Sequence, residues 1–455
     1  MEIKLNNVGA INNASVNLTG LSVIAGPNGS GKSTVGKTAY AIIKAINDKD
    51  NIIKQIMIDD ANDICRSVFF TIQNSISNTK IAAGDAELTG NDTKILLENF
   101  NYGTFVSDLF QLINSDDLGA AKNMVQSRIK MIDSFSNFVE DKAKTMARNS
   151  LSLLIEKFNK QNKENNISQS LVFMYEKIFK WQVNNLVSHE KSEISFGDLL
   201  TYSVSNNANT LSFSDRLKIG NFDPSVDQRI FPKVTFIETP LLLQLENHTD
   251  KDGVIPFYWK DLLNKLKPRE SVDVIPCSYN EIYEKITNIL GGNFEYNIER
   301  RRFEFIKNNF NDEANLFVNN MASGEKMLGI FQQMAKLGLF GPDHLLILDE
   351  PENHLHPQWQ ISLAEVLVNL AAAGCPILVA SHSPDFIQAL KFFTDKKQFK
   401  GTRFYLADEK TKSFHDKTDK VYEIFNNLSK PMNDIFKSMI SKHHKESKSI
   451  NNNDN

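Results

Sequence analysis

A short apolar run, Leu21-Ser22-Val23-Ile24-Ala25, leads straight into Gly26-Pro27-Asn28-Gly29-Ser30-Gly31-Lys32-Ser33-Thr34. The second stretch fits the pattern G-x-x-x-x-G-K-[ST], in the strand-then-helix setting that the pattern requires. Its glycines let the backbone come close to a bound anion. Successive N–H groups, with the start of the following helix, then cradle phosphate oxygens. On this reading Lys32 reaches the β- and γ-phosphates and Ser33 ligates Mg2+. A helix is predicted from Ser33 to about Ile46, its first turn completing the cradle. The implied ligand is a nucleoside triphosphate.

A second apolar run, Leu345-Leu346-Ile347-Leu348, suits a strand buried on both faces of a parallel sheet. It ends in Asp349-Glu350-Pro351-Glu352-Asn353-His354-Leu355-His356-Pro357. Carboxylates at the exit of such a strand stand where ligands bind in open α/β sheets. Asp349 is assigned to Mg2+, directly or through water, and Glu350 to orienting and deprotonating an attacking water. Taken alone, the segment also reads as an ordinary core strand capped by a turn. The phosphate-binding pattern upstream favours the functional reading.

Two further segments narrow the class. Asn320-Met321-Ala322-Ser323-Gly324-Glu325-Lys326 precedes a helical apolar pattern of Met327, Leu328, Ile330, Phe331, Met334 and Leu337. Ser323 and Gly324 at that helix's beginning form a second phosphate-binding device, and one chain does not need two for one γ-phosphate. The economical account has them cap a nucleotide held by another subunit. Pro376-Ile377-Leu378-Val379-Ala380 is another buried strand. It ends in Ser381-His382-Ser383-Pro384, which places His382 near the γ-phosphate and the attacking water.

The order of these motifs resembles the ABC-type ATPase superfamily, over roughly residues 1–45 and 230–408. The Glu-Asn-His-Leu-His-Pro continuation is similar to its soluble branch of overcoming-lysogenization-defect nucleases and other AAA-like prokaryotic defence ATPases, including PARIS-like and Septu-like ATPase subunits. SMC and double-strand-break-repair ATPases are more distant relatives. The resemblance implies an α/β fold: an ABC-type P-loop ATPase core with an antiparallel β lobe and a large inserted helical domain. It also implies ATP and Mg2+ as cofactors, and a homodimer or higher homo-oligomer with ATP sandwiched at composite sites. Ala-Ser-Gly-Glu-Lys replaces the transporter form Leu-Ser-Gly-Gly-Gln, which argues against a transporter subunit.

At 455 residues the chain has room for two or three structural units, and 41% hydrophobic with 23% charged residues is ordinary for a globular protein. A net charge of -4 makes no global case for nucleic acid, leaving only a local basic patch. Cys65, Cys277 and Cys375 form neither a zinc pattern nor a disulfide framework, which suits a reducing cytoplasm. The start lacks an apolar signal core. The apolar tract around Leu367 to Ala380 is interrupted and too short to span a membrane.

In chain order, residues 1–46 read as the first part of the ATPase domain. Antiparallel strands over residues 2–18 turn at Gly9 and at Asn12-Asn13. Residues 47–230 read as a helical insertion, its helices plain packing elements more than a surface for dimer contact or partner recognition, with Ala143–Phe158 and Ser168–Trp181 carrying helical spacing but no sustained heptads. Gln55 and Gln73 are candidates for the glutamine that contacts Mg2+ in transporter relatives. The ATPase domain resumes over 231–440, and the Lys-, Ser-, His- and Asn-rich tail 441–455 is expected to be disordered.

Within 231–440, Glu238 faces the site or ends a solvated strand. Tyr258 and Trp259 stack on a base or pack at an interface. Asn293–Lys307 reads as a hairpin whose Arg300, Arg301 and Arg302 contact phosphates or guard a solvated edge. His354 and His356 are two ligands short of a metal site, and a structural or subunit-crossing role suits them better. Thr402–Leu406 reads as a final strand. Asp408-Glu409 does not supply the acidic set of a nuclease, so the chain is not expected to cut nucleic acid itself. Two purposes remain. One is a sensor ATPase of an anti-phage defence system that controls a separate effector. The other is a clamp ATPase closing on DNA in repair or chromosome maintenance.

Overall fold

A computed structural model describes residues 1–83, 101–134, 139–159, 166–179, 191–205, 208–213, 231–246, 255–268, 279–307 and 316–451. The chain divides into two compact units, one formed by Met1–Asn47 with Met174–Asn455 and the other by Asp48–Phe173.

The first unit begins with β1 (Glu2–Val8) and β2 (Ile11–Asn17), an antiparallel pair, followed by β3 (Leu21–Ala25) and helix α1 (Lys32–Asn47). Gly9 makes the expected turn. Asn12 and Asn13 do not turn: both lie inside β2, where the Asn12 N–H donates to Lys412 O.

The second unit is helical. Helix α2 (Lys49–Ala83), α3 (Tyr102–Asn114), α4 (Leu118–Asp133) and α5 (Asp141–Asn159) meet in an apolar core that includes Ile72, Leu109, Val125 and Leu154. Gln55 and Gln73 both sit on α2, and Gln55 donates to Asp59 one turn along. Helix α6 (Asn166–Phe179) follows.

The helical reading does not extend to residue 230. Strands β4 (Lys191–Phe196), β5 (Leu200–Ser205) and β6 (Ala208–Phe213) add to the open edge of β1, giving an antiparallel sheet of order β2-β1-β4-β5-β6. In β4, Ile194 and Phe196 alternate with polar residues and are buried, the period-two signature of a strand. That alternation is brief and set among serines, which hid it beside the longer helical patterns.

The central sheet holds β7 (Lys233–Ile237), β11 (His344–Asp349), β12 (Ile377–Ser381), β13 (Thr402–Ala407) and β14 (Phe414–Asp416), in the order β14-β13-β3-β12-β11-β7. All neighbours are parallel except β13 and β14. β14 therefore follows the strand read as the last. Every residue of β3, β11 and β12 is buried, as their mostly apolar runs require of strands covered on both faces. A smaller antiparallel sheet, β10-β9-β8, is built from β8 (Gly292–Asn297), β9 (Arg302–Lys307) and β10 (Leu316–Phe317).

Around these sheets lie α7 (Phe257–Leu266), α8 (Asn280–Leu290), α9 (Ser323–Lys336), α10 (Pro357–Ala372), α11 (Pro384–Lys396) and α12 (Val421–Asn451). The last of these helices occupies most of the tail read as disordered.

A buried histidine ties β7 to β11: His344 Nε2 lies 2.7 Å from Thr235 Oγ1, and both residues are at most 2% exposed. Burial, reinforced by Lys265 and Lys233, pushes the His344 imidazole down to about 3. The folded protein therefore holds this ring neutral. Below its unfolded value of about 6.5 the unfolded chain binds a proton that the native chain refuses, so stability falls as pH drops, by about 1.4 kcal/mol per pH unit. Urea unfolding of the protein and of His344→Gln at pH 7 and pH 5 should show the steeper loss in the parent. Equal losses would mean that His344 titrates alike in both states.

Candidate nucleotide-binding site

β3 delivers Gly26–Thr34 to the carboxyl edge of the central sheet, between the exits of β12 and β13. Gly29 and Gly31 have φ of 76° and 90°, a region that disfavours side chains. A Cβ on Gly31 would lie 2.5 Å from Ile11 Cγ1, so the loop's curvature depends on that residue being glycine. Ser30 Oγ, buried in this loop, has no hydrogen-bond partner among the described residues.

Lys32 is 4% exposed, and its ammonium donates to the carbonyls of Gly26 and Pro27, both at 2.9 Å. Glu350 Oε1 lies 3.9 Å from it. Burial pushes the Lys32 ammonium below the usual lysine range, while Glu350, Asp349 and Glu352 pull it back.

β11 and α1 bring together residues 316 positions apart: Ser33 Oγ donates to Asp349 Oδ1 at 2.9 Å. Burial raises the Asp349 carboxyl against that hydrogen bond, with Glu238 and Glu350 adding negative charge nearby. A hydroxyl and a buried carboxylate side by side fit Mg2+, which commonly takes one or two protein carboxylates and completes its shell with water and phosphate. The strand-exit register also places Glu238, just after β7, beside Asp349. Glu238 accepts from Lys37 Nζ, Tyr258 OH and Trp259 Nε1 at 2.9, 2.7 and 3.1 Å. Burial would raise its carboxyl, but Lys37 and these hydrogen bonds hold it below the usual range. Tyr258 and Trp259 thus serve Glu238, and Tyr258 is buried.

Glu350 has φ of 52°, a conformation rarely adopted by a side-chain-bearing residue and one that carries strain. Its N–H donates to Ala380 O at 2.8 Å. Asn353 Nδ2 donates to Glu350 Oε2 at 2.8 Å, fixing the carboxylate from the turn that follows. His382 Nδ1 stands 2.9 Å from Glu350 Oε1 but off the hydrogen-bonding direction of the ring. Asn353 received no role in the sequence reading; its i+3 spacing from Glu350 in a Pro-containing turn was the available signal.

Glu352 was also missed. It is 2% exposed, accepts from Ser381 Oγ through Oε1, and leaves Oε2 without a hydrogen-bond partner among the described residues. Burial raises its carboxyl against the Ser381 hydrogen bond. Ser381 Oγ in turn accepts from the Ser383 N–H at 3.1 Å, so the turn after β11 and the loop carrying His382 are bound to one another.

Ser323 and Gly324 open α9. The N-cap, Ala322, offers no side-chain acceptor, and Glu325 Oε2 accepts the Ala322 N–H at 2.9 Å. A Cβ on Gly324 would meet His354 O at 2.9 Å, followed by Leu355 and Trp359. This helix start therefore packs on the turn after β11, and no phosphate-loop atom is among the nearest neighbours of that position. His356 caps α10, its Nδ1 accepting from the Gln358 N–H at 3.3 Å, so it is structural. No cluster of three or more His, Cys, Asp or Glu among the described residues could hold a metal. Arg300 Nη1 and Arg302 Nε both bond Glu304 Oε1, at 3.3 and 2.5 Å.

No helix among the described residues is long and apolar enough to cross a membrane. No curated protein matches the sequence. Among solved structures the chain is similar to an Smc head bound to the C-winged helix domain of ScpA, at 11% identity over 91% of this chain and 95% of that one, with a TM-score of 0.39. Another is the SMC head domain from Thermotoga maritima, at 11% identity over 89% and 93%, with a TM-score of 0.34. Residues 1–387 match the AAA ATPase domain family. Because that match covers most of the sequence and contains the phosphate loop, the strand ending in Asp349 and the loop of His382, the chain belongs to the AAA ATPase domain family.

Proposed function

We propose that the chain is a Mg2+-dependent ATP hydrolase of the ABC type, working as a dimer with ATP held between two subunits. The observation that carries this reading is the meeting of Ser33 with Asp349 beside a carboxylate, Glu350, that Asn353 orients and His382 approaches to 2.9 Å. Lys32 and the backbone of Gly26–Thr34 bind the phosphates. Ser33 and Asp349 hold Mg2+, which supplies charge neutralisation of the phosphates when bound. Glu350 positions the attacking water and accepts its proton. His382 lies within reach to stabilise the Glu350 carboxylate and the charge developing on the phosphate.

Ser323 and Gly324 complete the site of the neighbouring subunit. Their support is the start of α9, where no side-chain cap satisfies the first N–H groups and an anion can. A chain altered at Ser323→Arg and one altered at Lys32→Ala are each expected to be inactive alone. Mixed, each heterodimer keeps one of its two composite sites, so an equal mixture should recover up to about a quarter of the activity. Demonstrated heterodimers that never regain activity would point to a site made within one chain.

For purpose, we favour a sensor subunit of a prokaryotic anti-phage defence system that controls a separate effector. The helical unit, with a core of its own, suits partner recognition. The alternative, a DNA clamp, loses much of the basic surface read for it. Arg300 and Arg302 close onto buried Glu304, and the Arg302 guanidinium also lies 4.1 Å from the Phe317 ring centroid.

A further inference from the structure

α10 starts directly after the turn that carries Glu350, and α11 directly after the loop that carries His382. Between them lies a groove of about 510 Å3 lined by Gln360, Ile361, Asp385, Ala389, Phe392 and Phe393, among others. Ile361 and Phe392 are more than half exposed. Gln360 joins this surface to the site: its Nε2 donates to Leu355 O at 3.1 Å and to Glu352 O at 3.4 Å.

The same chain displays a matching apolar ridge. α12 is anchored by Val421 and Ile424 in the core, with Phe425 and Leu428 packed against it. Beyond Leu428 it continues as a helix through Pro431, with every residue from Lys430 to Met439 exposed. Met432, Ile435, Phe436 and Met439 are spaced i, i+3, i+4 and i+7, so they share one face, each about half exposed. Such spacing is how a helix fills an apolar groove.

We propose that this ridge seats in the α10–α11 groove of a second copy, and that the exchange is reciprocal. The ridge extends roughly 16 Å past Leu428 at 1.5 Å per residue, along a helix leaving its own core, so it does not fold back onto its own groove. The area agrees. Four large side chains at about half exposure offer roughly 400 Å2, the groove about as much, and two reciprocal contacts about 1,600 Å2, the size of a standard specific interface. A reciprocal exchange is also closed, leaving no ridge or groove free to propagate. Seated there, the partner's helix bears on the two elements that set the spacing of Glu350 and His382. That consequence rests on the roles proposed for those residues; the contact itself does not.

The test is disulfide trapping of the full chain without nucleotide, so it is independent of hydrolysis. A Phe392→Cys chain mixed with a Phe436→Cys chain should give a crosslinked dimer at least tenfold above the parent and above either variant alone. Adding Ile361→Glu to the Phe392→Cys chain should cut that yield roughly tenfold. Ready crosslinking of Phe436→Cys alone would show ridges pairing with ridges and overturn the proposal. So would a mixture no better than the parent, or a yield that Ile361→Glu leaves unchanged.

Discussion

Glu350→Gln should bind ATP as the parent does and hydrolyse it about 10²- to 10⁴-fold more slowly, the usual contribution of a positioned general base. The substitution keeps the side chain's length and the strained φ of 52°, so the backbone between β11 and Asn353 has no reason to move. An amide oxygen can still accept from Asn353 Nδ2. What is lost is the carboxylate beside His382 Nδ1 and Lys32 Nζ, and with it the acceptor for the proton of water. Phosphate release under single-turnover conditions reads the chemical step, and nucleotide titration reads binding. Unchanged turnover would remove Glu350 from the mechanism and leave the nearby Glu352 to be tested in its place.

Lys32→Ala should abolish binding instead. Two charge-assisted hydrogen bonds to phosphate, at about 1.5–3 kcal/mol each, correspond to a loss of at least a hundredfold in affinity. The folded chain should tolerate the change. Lys32 is a buried cation whose hydrogen-bond acceptors among the described residues, Gly26 O and Pro27 O, belong to its own loop. Titration with a fluorescent ATP analogue measures the affinity, and thermal unfolding without nucleotide separates binding from folding. Retained affinity with normal unfolding would place the nucleotide elsewhere.

The site was legible where chemistry and local pattern coincide. The phosphate loop needs particular residues in consecutive positions, so Gly26–Thr34 announced both the cradle and the strand before it. The run Leu345–Leu348 marked a buried strand because both faces of a parallel sheet are covered. Glu352 and Asn353 were not legible, because their roles depend on how a turn returns its side chains: one inward onto Ser381, the other back onto Glu350. Glu238 was legible only as an alternative, since the hydrogen bonds from Lys37, Tyr258 and Trp259 join three separate elements. β4–β6 escaped for another reason. They attach through β4 to β1, nearly two hundred positions earlier, and short alternating segments say little without the edge they will extend.

β3 takes both of its sheet neighbours from the far end of the chain: Ile24 pairs with Ala380 on one side and with Tyr405 on the other. During synthesis at about 5–20 residues per second, roughly 20–70 seconds separate β3 from the first of these partners. For that interval a largely apolar strand and the unclosed phosphate loop have no sheet to enter, while the helical unit already holds the residues of its own core. The ATP site is therefore among the last parts of the newborn chain to assemble. A ribosome that stalls before Ile377 leaves behind a folded helical unit and an exposed apolar strand, a species prone to aggregate and open to chaperones.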